Sequence, residues 1–344
     1  MTVRIEPLSE ELTPAWDAFV EACPQATFFH RAGWKSVIDR SFGHPTYFVC
    51  ARRGNEVVGV LPLVHVKSML FGNALISNAF CVAGGPVASD DEALSHLIAY
   101  AAKTLESVGA DYVELRDLAV CPPGWKRRAA THATFARDIA ADEAANLKQI
   151  PRKPRAVVRK AIANDNLTFD LQDDLKTFYG LFALSMRNHG TPVLPRRYLE
   201  NLRSVFGSSC EILTVRHNGV AVSSVLSFYF RDTVLPYYTG ASPDARRLGA
   251  NDLMYWRVMR QAADRGCSRF DFGRSRLGSG PYSFKKNWGF EPRGGSHDYL
   301  VRDGKPLPHL NPENPKYAMF VQLWQRLPLP LANAIGPAIV RSLG

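Results

Sequence analysis

Two stretches of this sequence carry the same order of predicted elements, and this repetition constrains the fold more than any other feature. Each stretch reads as a two-stranded hairpin, a helix that ends at glycine and a closing strand. Between the hairpin and the helix the second stretch has a further strand, whereas the first has a loop-rich apolar segment, 67–90. The glycines Gly109 and Gly266 are 157 residues apart, and so are Glu114 and Asp271 in the closing strands. A near-constant offset is typical of a duplicated domain. The sequence therefore predicts two α/β halves of similar architecture; the alternative is two unrelated α/β units that share common turn residues.

The predicted bounds of the elements follow from apolar periodicity and from glycine-containing turns. Residues 8–42 and 175–206 are predicted to be helical, whereas 121–135, rich in proline and arginine, is predicted to be irregular. In the first copy the elements are the strands 46–52, 56–66 and 111–117 and the helix 91–108, capped by Ser89 or Asp90. In the second copy they are the strands 211–216, 220–230, 234–239 and 268–272 and the helix 251–265.

Length and composition indicate a soluble globular protein with room for two domains: 344 residues, 46% hydrophobic and 22% charged. The chain has no apolar run of the roughly 18 residues that a membrane-spanning helix needs, and its first residues, MTVRIEPLSEEL, lack the apolar core of a secretory signal. Its six cysteines show no metal-ligand spacing and are interpreted as reduced thiols. We therefore expect a cytoplasmic protein without a metal site. The net charge of +10 favours partners that carry phosphate.

The run from Gly266 to Glu291, GCSRFDFGRSRLGSGPYSFKKNWGFE, carries the strongest indication of a ligand site. An alternating strand leads into a loop with Gly273, Gly278 and Gly280, where the backbone can turn sharply and approach a ligand closely. A short helix with two lysines follows. A strand that enters such a loop, with a lysine directed back at it, suits an anionic ligand. The alternative is a buried strand followed by a solvated basic helix.

The segments FDFGRS and GSGPYSFKKNWGFEP resemble the C-terminal part of the FemAB-type branch of GNAT-fold acyltransferases, in particular the FemAB-like proteins found with exopolysaccharide and PEP-CTERM/exosortase loci. Further similar stretches are WKSVIDRSFGH (34–44), GVLPLVHVKSMLFGNALIS (59–77), MRNHGTPVLPRRYLENL (186–202) and WQRLPLPLANAIGP (324–337). The resemblance implies the α/β (α+β) class with a tandem double-GNAT fold and a C-terminal helical tail. On this basis the predicted parts are a first, acceptor-side domain (1–140), a second, donor-side and catalytic domain (141–310) and an amphipathic tail (311–344).

The resemblance also implies a reaction. In Fem-type proteins the donor is aminoacyl-tRNA and the acceptor is the peptide of a cell-wall precursor, whereas GNAT enzymes in general use acyl-CoA. We therefore expect transfer of an acyl or aminoacyl group to an amine or hydroxyl of a cell-envelope or exopolysaccharide precursor, a lipid- or nucleotide-linked glycan. Acyl-CoA or charged tRNA would be a substrate, and no tightly bound cofactor is expected. Two alternatives are an acyl-CoA N-acyltransferase on a small amine and a non-catalytic GNAT-fold module that binds anionic polymer or lipid.

The loop before each repeated helix separates the two halves chemically. Residues 244–251 are basic and contain glycine, whereas residues 89–92 are acidic. The positive end of a helix suits a phosphate or an oxyanion, so the donor is predicted in the second half. The run Arg246-x-x-Gly249 resembles the R-x-x-G-x-G/A pyrophosphate loop of GNAT enzymes, although Asn251 stands where that pattern has Gly or Ala, which counts against acyl-CoA. The predicted donor-binding residues are Arg246, Arg247, Gly249, Asn251, Arg274, Gly280, Phe284, Lys286 and Tyr238.

Three residues are candidates for catalysis. Lys285 matches the lysine of the Fem-type G-x-x-x-F-K motif, and the resemblance implies contact with a donor phosphate or with the reacting carbonyl. Asp271, at the end of its strand, is placed to orient Lys285 or Arg274; the alternative is a structural partner of nearby arginines. His189 lies in a loop with glycine and proline between two helices, where a histidine near its ordinary pKa suits a general base. The alternative for His189 is a hydrogen bond that anchors the loop.

Two further segments have open interpretations. The run 148–163, KQIPRKPRAVVRKAIA, is predicted to be a basic helix that contacts phosphate, or else a solvated linker helix. The segment 317–343 is apolar and interrupted by proline. It is predicted either to lie at the inner face of the cytoplasmic membrane with Trp324 at headgroup level, or to pack on the second domain as a helix pair. The predicted acceptor-binding residues are Trp34, Lys35 and Lys67.

Overall fold

Both halves of the chain fold around a mixed β-sheet. The structure is a computed structural model that describes residues 2–68, 72–171, 174–307 and 315–342, of which 315–318 are described by backbone alone. The chain divides into two units. Unit 1 comprises Met1–Ala130, Gly295–Leu310 and Ala338–Gly344, and unit 2 comprises Thr131–Gly294 and Asn311–Pro337.

Unit 1 is built from the following elements: β1 (Val3–Pro7), α1 (Thr13–Ala22), a 3₁₀ turn (Phe28–His30), α2 (Gly33–Phe42), β2 (Thr46–Arg53), β3 (Glu56–Ser68), β4 (Gly72–Ser77), β5 (Val87–Ala88), α3 (Asp91–Val108), β6 (Tyr112–Arg116) and most of β13 (Pro292–Val301). Its strands run in the order β1-β2-β3-β4-β6-β13, with β5 beside β3. The pair β4–β6 is parallel, and the other neighbours are antiparallel. The helix α3 begins at Asp90, whose Oδ1 accepts from the Ala93 N–H at 2.9 Å.

Unit 2 is built from most of β7 (Lys126–Asp138), α4 (Glu143–Gln149), α5 (Arg152–Ile162), β8 (Leu167–Leu171), α6 (Leu175–Asn188), α7 (Arg196–Phe206), a 3₁₀ turn (Gly207–Ser209), β9 (Cys210–His217), β10 (Val220–Phe230), β11 (Thr233–Ala241), α8 (Ala245–Leu248), α9 (Ala250–Asp264), β12 (Arg269–Arg276), α10 (Gly280–Asn287), α11 (Pro315–Arg326) and most of α12 (Leu329–Val340). Its strands run in the order β7-β12-β11-β10-β9-β8, and the pair β11–β12 is parallel.

The strand orders of the two units confirm the repeated order of elements. The hairpin β2–β3 corresponds to β9–β10, β4 to β11, α3 to α9 and β6 to β12; the offset is 157 residues between the closing strands and 164 between the hairpins. The strand β4 lies within 67–90, which was predicted to be loop-rich. In each half an antiparallel first strand (β1 or β8) also precedes two helices. The last strand is exchanged in sequence: β7 follows β6 along the chain but pairs with β12, whereas β13 follows β12 but pairs with β6.

Because of this exchange, the observed elements and units differ from the predicted residue ranges. Residues 121–135 were predicted to be irregular, which is wrong, because 126–138 form β7. Ala133 and Phe135 are buried in this strand, but most of its residues are polar and at least partly exposed, so apolar alternation is nearly absent. Residues 295–310 belong to unit 1 rather than to the second half, because β13 pairs with β6. The residues predicted as a separate tail are divided between the units at 337/338.

The core of unit 2 lies where α9 packs on its sheet. Leu253, Trp256, Val258 and Met259 of α9 are buried in one apolar cluster that includes Phe270 of β12. Within the described residues, no helix combines the length and apolar character needed to cross a membrane. In the same ranges, no group of His, Cys, Asp and Glu side chains is suited to hold a metal ion.

Helix α6 packs directly on the backbone of β11. A Cβ at Gly240 would lie 2.2 Å from the backbone nitrogen of Phe182, so only glycine fits there. Ser185, one turn further along α6, accepts from the Ala241 N–H at 2.8 Å and donates to the Ala241 carbonyl at 3.2 Å. The close approach therefore fixes the C-terminal end of α6 at the end of β11.

We predict that Gly240→Ala lowers the free energy of unfolding by about 1–3 kcal/mol, because the new methyl group overlaps the α6 backbone. Gly180→Ala is the matched control on α6 itself, since a Cβ at Gly180 meets nothing within 4 Å. It should stabilise the protein by up to about 1 kcal/mol through helix propensity. Urea unfolding of both variants measures the difference. If Gly240→Ala and Gly180→Ala were equally stable, α6 would not contact the β11 backbone as closely as the Gly240 geometry indicates.

Candidate active site

The parallel strands β11 and β12 diverge and form a fork in the sheet of unit 2. They pair at Thr233–Arg269 and Val234–Phe270. Beyond Val234, β12 offers β11 no partner in the described part of the chain. Both strands are irregular at this point: the register of β11 on β10 shifts at Tyr237, and that of β12 on β7 shifts between Asp271 and Arg274. Such bulges bend strands, which explains the divergence.

The bulge of β12 is held by the side chain of Lys285 from α10. Its Nζ donates to the carbonyl oxygens of Phe272 (2.6 Å), Gly273 (3.3 Å) and Arg274 (3.2 Å). Lys285 is 8% exposed, and burial lowers its pKa to about 8, although the charge of Asp271 opposes this. Because an ammonium has three N–H donors, all of them are used here. The Lys285 side chain thus points at the preceding strand, β12, whereas the resemblance implied contact with donor phosphate or the reacting carbonyl.

Asp271 lies at the start of the same bulge. Its Oδ1 accepts from the Gly273 N–H at 2.7 Å, and Gly273 has φ +65°, a conformation that favours glycine. Burial raises the pKa of Asp271, while the Gly273 hydrogen bond and the charges of Lys285 and Arg269 act in the opposite direction. The fork therefore contains a carboxylate that is a stronger base than an ordinary aspartate.

An aromatic cluster that sequence reasoning missed joins α9, α10 and the fork. The ring centroid of Tyr255 on α9 lies 4.8 Å from that of Phe272 and 6.3 Å from that of Trp288, and its hydroxyl is hydrogen-bonded to Thr239 of β11. The indole N–H of Trp288 donates to Asp252 Oδ1 at 2.9 Å, and burial raises the pKa of Asp252. Asp252, an acidic residue in the first turn after the R-x-x-G run, could have been noticed in the sequence. Its contact with Trp288, 36 residues away, could not have been predicted in the same way.

The loop before α9 has the form that the R-x-x-G resemblance implies. Gly249 (φ +67°) joins α8 to α9, so the first N–H groups of α9 have no partner within the helix. Arg246 is exposed, whereas Arg247 pairs with Asp244 at 3.0 Å. Asn251, at the position that departs from the GNAT pattern, accepts a hydrogen bond from Ser223 Oγ at 2.6 Å. Its side chain therefore helps to attach α9 to β10.

The basic helix α5 lies against this loop. A Cβ at Gly249 would be 3.0 Å from Val157 Cγ1 and 3.5 Å from Ala161 Cβ, which shows how closely α5 approaches. Val158 and Ala161 are buried, and the cationic side chains of α5 are mostly exposed. In the described part of the chain these cations form no ion pair with an acidic side chain. They are Arg152, Lys153, Arg155, Arg159 and Lys160.

His189 caps the C-terminus of α6, one turn after Ser185, and so lies toward the end of β11. The residue is exposed, yet partial desolvation of its ring lowers its pKa. Helix α11 packs on this loop: a Cβ at Gly190 would be 2.4 Å from Val321 Cγ1, and Gln325 Nε2 donates to the Asn188 carbonyl at 3.0 Å. The loop that carries His189 is therefore supported by α11.

The other predicted donor residues lie in different environments. Arg274, Gly280 and Lys286 are exposed, and Phe284 is half-buried beside Tyr255. The Tyr238 hydroxyl is within hydrogen-bonding distance of the Tyr198 hydroxyl (3.1 Å), and its ring packs 5.5 Å from that of Phe182. Tyr238 thus lies on the side of the sheet that faces α6 and α7.

The predicted acceptor residues do not form one surface in unit 1. Trp34 is fully buried, and its indole N–H donates to the Phe28 carbonyl at 3.0 Å, so the expectation of a surface position is corrected. Lys35 pairs with Asp39 at 2.8 Å on the same helix. Lys67 is exposed on β3. The prediction for Trp34 was wrong because an apolar helix face has the same sequence pattern whether it contacts a ligand or the core.

In unit 1 the place that corresponds to the fork is filled. A Cβ at Gly85 would lie 1.9 Å from the Arg116 carbonyl oxygen, and His30 Nε2 donates to the Gly85 carbonyl at 2.8 Å. Glu114, the counterpart of Asp271, pairs with Arg116 at 2.9 Å. Although burial raises the pKa of Glu114, the charges of Arg116 and His297 lower it overall. The two halves therefore hold opposite environments at the same position of the repeat.

We predict that Lys285→Met lowers the free energy of unfolding by about 1–3 kcal/mol, because buried carbonyl oxygens lose a charged donor. Lys286→Met removes an exposed lysine from the same helix and should change stability by less than about 0.5 kcal/mol. Denaturant unfolding of both variants provides the comparison. A Lys285→Met protein as stable as wild type would contradict the role in holding the bulge.

We also predict that Asp271→Asn stabilises the protein at neutral pH. The folded-state pKa of Asp271 is raised, so the folded chain binds its proton more tightly than the unfolded chain. The stability of the wild type therefore falls as the pH rises through the folded pKa, and the cost of the buried charge is complete above it. Asparagine keeps an acceptor for Gly273 without that cost. The gain should vanish in acid; a gain independent of pH would refute the argument.

The fold and part of the sequence match known proteins. Residues 151–286 match the family model described as acetyltransferase (GNAT) domain. The structure of FemX aligns with a TM-score of 0.69 at 17% identity and covers 94% of this chain and 100% of that one. A tandem GNAT protein from the clavulanic acid biosynthesis pathway aligns at 0.55 and 12% identity, over 87% and 98% of the chains.

A third similar structure is the C-terminal domain of a putative lysylphosphatidylglycerol synthetase from Agrobacterium fabrum, with a TM-score of 0.54 and 14% identity over 86% and 92% of the chains. Among curated proteins, none matches this sequence. These likenesses extend across both units, and the matched family model contains the fork, the R-x-x-G loop and Lys285. The chain therefore has the mixed α/β tandem-GNAT fold that the sequence predicted, with a GNAT domain at residues 151–286.

Proposed function

We propose that this protein is an acyl- or aminoacyltransferase whose donor binds at the β11–β12 fork of unit 2 and whose acceptor is an amine or hydroxyl of a cell-envelope or exopolysaccharide precursor. The observation that carries the proposal is the fork itself: in the described chain β12 stops pairing with β11 after Val234, and β11 leads to the glycine turn that opens α9. The match of the same residues to a GNAT domain supports it. The similarity to FemX supports an envelope precursor as acceptor.

The open edge of β11 suits stabilisation of an oxyanion. Acyl transfer passes through a tetrahedral intermediate, and backbone N–H groups aimed at its oxygen are a strong source of catalysis. From Leu235 onward β12 gives β11 no partner in the described chain, and the bulge at Tyr237 adds a residue outside the regular ladder. A donor carbonyl placed in the fork would meet the backbone N–H groups of β11 that face β12.

The acceptor must lose a proton, and two groups are suited to take it. Asp271 is a half-buried carboxylate whose pKa is raised by desolvation, beside the fork. His189 has a lowered pKa, so its ring is neutral at pH 7 and able to accept a proton. In this proposal Lys285 acts as a positioning residue, because its ammonium is occupied by the β12 carbonyls.

The distribution of charge favours charged tRNA as the donor. The exposed cations of α5, together with Arg246, form a basic surface beside Gly249 that is larger than a single pyrophosphate needs. Asp252 adds an acidic side chain to the first turn of α9, and Asn251 is attached to Ser223. Both features weaken the site for a CoA pyrophosphate at the helix end.

A specific observation keeps acyl-CoA as the second candidate donor. The turn at Gly249 starts α9 without a side-chain cap, shortly after Arg246, and an uncapped helix start is an arrangement that binds phosphate. In that case the protein would be an acyl-CoA N-acyltransferase on an amine. The two donors are distinguished by direct binding.

The decisive experiment measures binding of charged tRNA, acetyl-CoA and longer acyl-CoA, followed by transfer to an amine acceptor. Arg159→Gln with Lys160→Gln should weaken tRNA binding about tenfold or more and reduce its salt dependence, because phosphate contacts are lost. Lys103→Gln with Lys126→Gln is the control, since it removes the same charge from exposed lysines of unit 1.

Three outcomes would change the proposal. A rise in melting temperature with acyl-CoA alone would identify the donor as CoA. Salt-dependent binding of tRNA without acyl transfer to any amine or hydroxyl acceptor would favour a non-catalytic binding module. Equal tRNA binding by the α5 variant and the control would remove α5 from the donor site.

A further inference from the structure

The outer face of the C-terminal helix α12 is apolar although it is solvent-exposed. Leu331 is 47% exposed and Ile335 40% exposed, and Ala334 is exposed between them. The opposite side of the helix is packed against unit 2: Ala332 is buried, and a Cβ at Gly336 would lie 3.0 Å from the backbone nitrogen of Val193. A helix that is apolar on both its buried and its exposed sides needs a second apolar environment.

Helix α11 repeats the arrangement. Met319 and Leu323, one turn apart, are each 59% exposed. Trp324 is 3% exposed and stacks on Phe320, so it faces the protein. This corrects the expectation that Trp324 lies at the level of lipid headgroups. The anchor of α11 in unit 2 is thus aromatic, while its outer row is aliphatic.

The sign of the charges in residues 315–342 indicates which kind of partner fits this segment. Residues 315–342 contain lysine and arginine but no aspartate or glutamate. Arg326, at the end of α11, is exposed. An aliphatic row accompanied by cations alone complements a surface that is apolar beneath and anionic above, which is the structure of an anionic lipid leaflet.

We propose that the outer faces of α11 and α12, formed by Met319, Leu323, Leu331 and Ile335, dock on an anionic membrane surface. The helices lie on the leaflet and insert their aliphatic side chains between headgroups, while Arg326 contacts lipid phosphate. The proposal concerns binding, so it stands or fails independently of the transfer reaction. Docking of this kind would bring the enzyme to a lipid-linked acceptor.

The test is flotation of the full-length protein with vesicles of phosphatidylcholine and phosphatidylglycerol in equal parts. Leu331→Ser with Ile335→Ser removes apolar surface without changing the charge. This variant should lower the partition constant between vesicles and solution by at least about tenfold. Met319→Ser with Leu323→Ser tests α11 in the same way. Val120→Ser with Val220→Ser is the control, because these valines are 78% and 67% exposed away from the tail.

Wild-type binding that weakens with salt, falls in both tail variants and persists in the control would support the proposal. Failure of the wild type to float at low salt would overturn it, as would equal flotation of wild type and tail variants. Sedimentation equilibrium distinguishes membrane docking from self-association through the same face. A wild-type dimer that the tail variants lack, without vesicle binding, would show that the same face joins two copies of the chain instead.

Discussion

The geometry of the candidate site depends on one ammonium group inside unit 2. Lys285 holds the three carbonyl oxygens of the β12 bulge, and the bulge turns β12 away from β11. Burial lowers the pKa of this lysine to about 8, so the fold keeps a charge where the environment opposes it. A lysine that matches a family motif can therefore serve a reaction by shaping a strand, without touching the substrate.

The duplicated halves show how one topology supports two environments. In unit 1, Glu114 is neutralised by Arg116, and the neighbouring loop packs on the strand through Gly85. In unit 2, Asp271 lacks such a guanidinium partner among its described contacts, and its pKa moves in the opposite direction. The difference is local, since the surrounding strands and helices correspond. The two halves thus share one frame, while this position is packed in unit 1 and open in unit 2.

Periodicity and glycine positions were sufficient to predict the two hairpins, the repeated helices and the closing strands, because these leave local patterns in the sequence. The short strands β1, β4 and β8 were not predicted, and the residues 8–42, predicted to be helical, form two separate helices. The strand β7 was missed because backbone pairing, rather than apolar alternation, holds its polar residues in the sheet. The site was harder to predict: Lys285 and Asp271 were recognised, but the carbonyl cage of Lys285 and the Trp288–Asp252 bond arise from tertiary packing. Burial of Trp34 and Trp324 likewise depends on neighbours distant in sequence.

The exchanged last strands affect the order in which the chain can acquire structure during synthesis. β6 ends at Arg116, but its partner β13, which begins the pairing at His297, is made 181 residues later. Until then one edge of β6 lacks its β13 partner, while the ribosome synthesises Thr131–Gly294 of unit 2. A nascent N-terminal half therefore presents an open strand edge, which attracts wrong partners. The β6 edge is therefore covered only after β13 has been made.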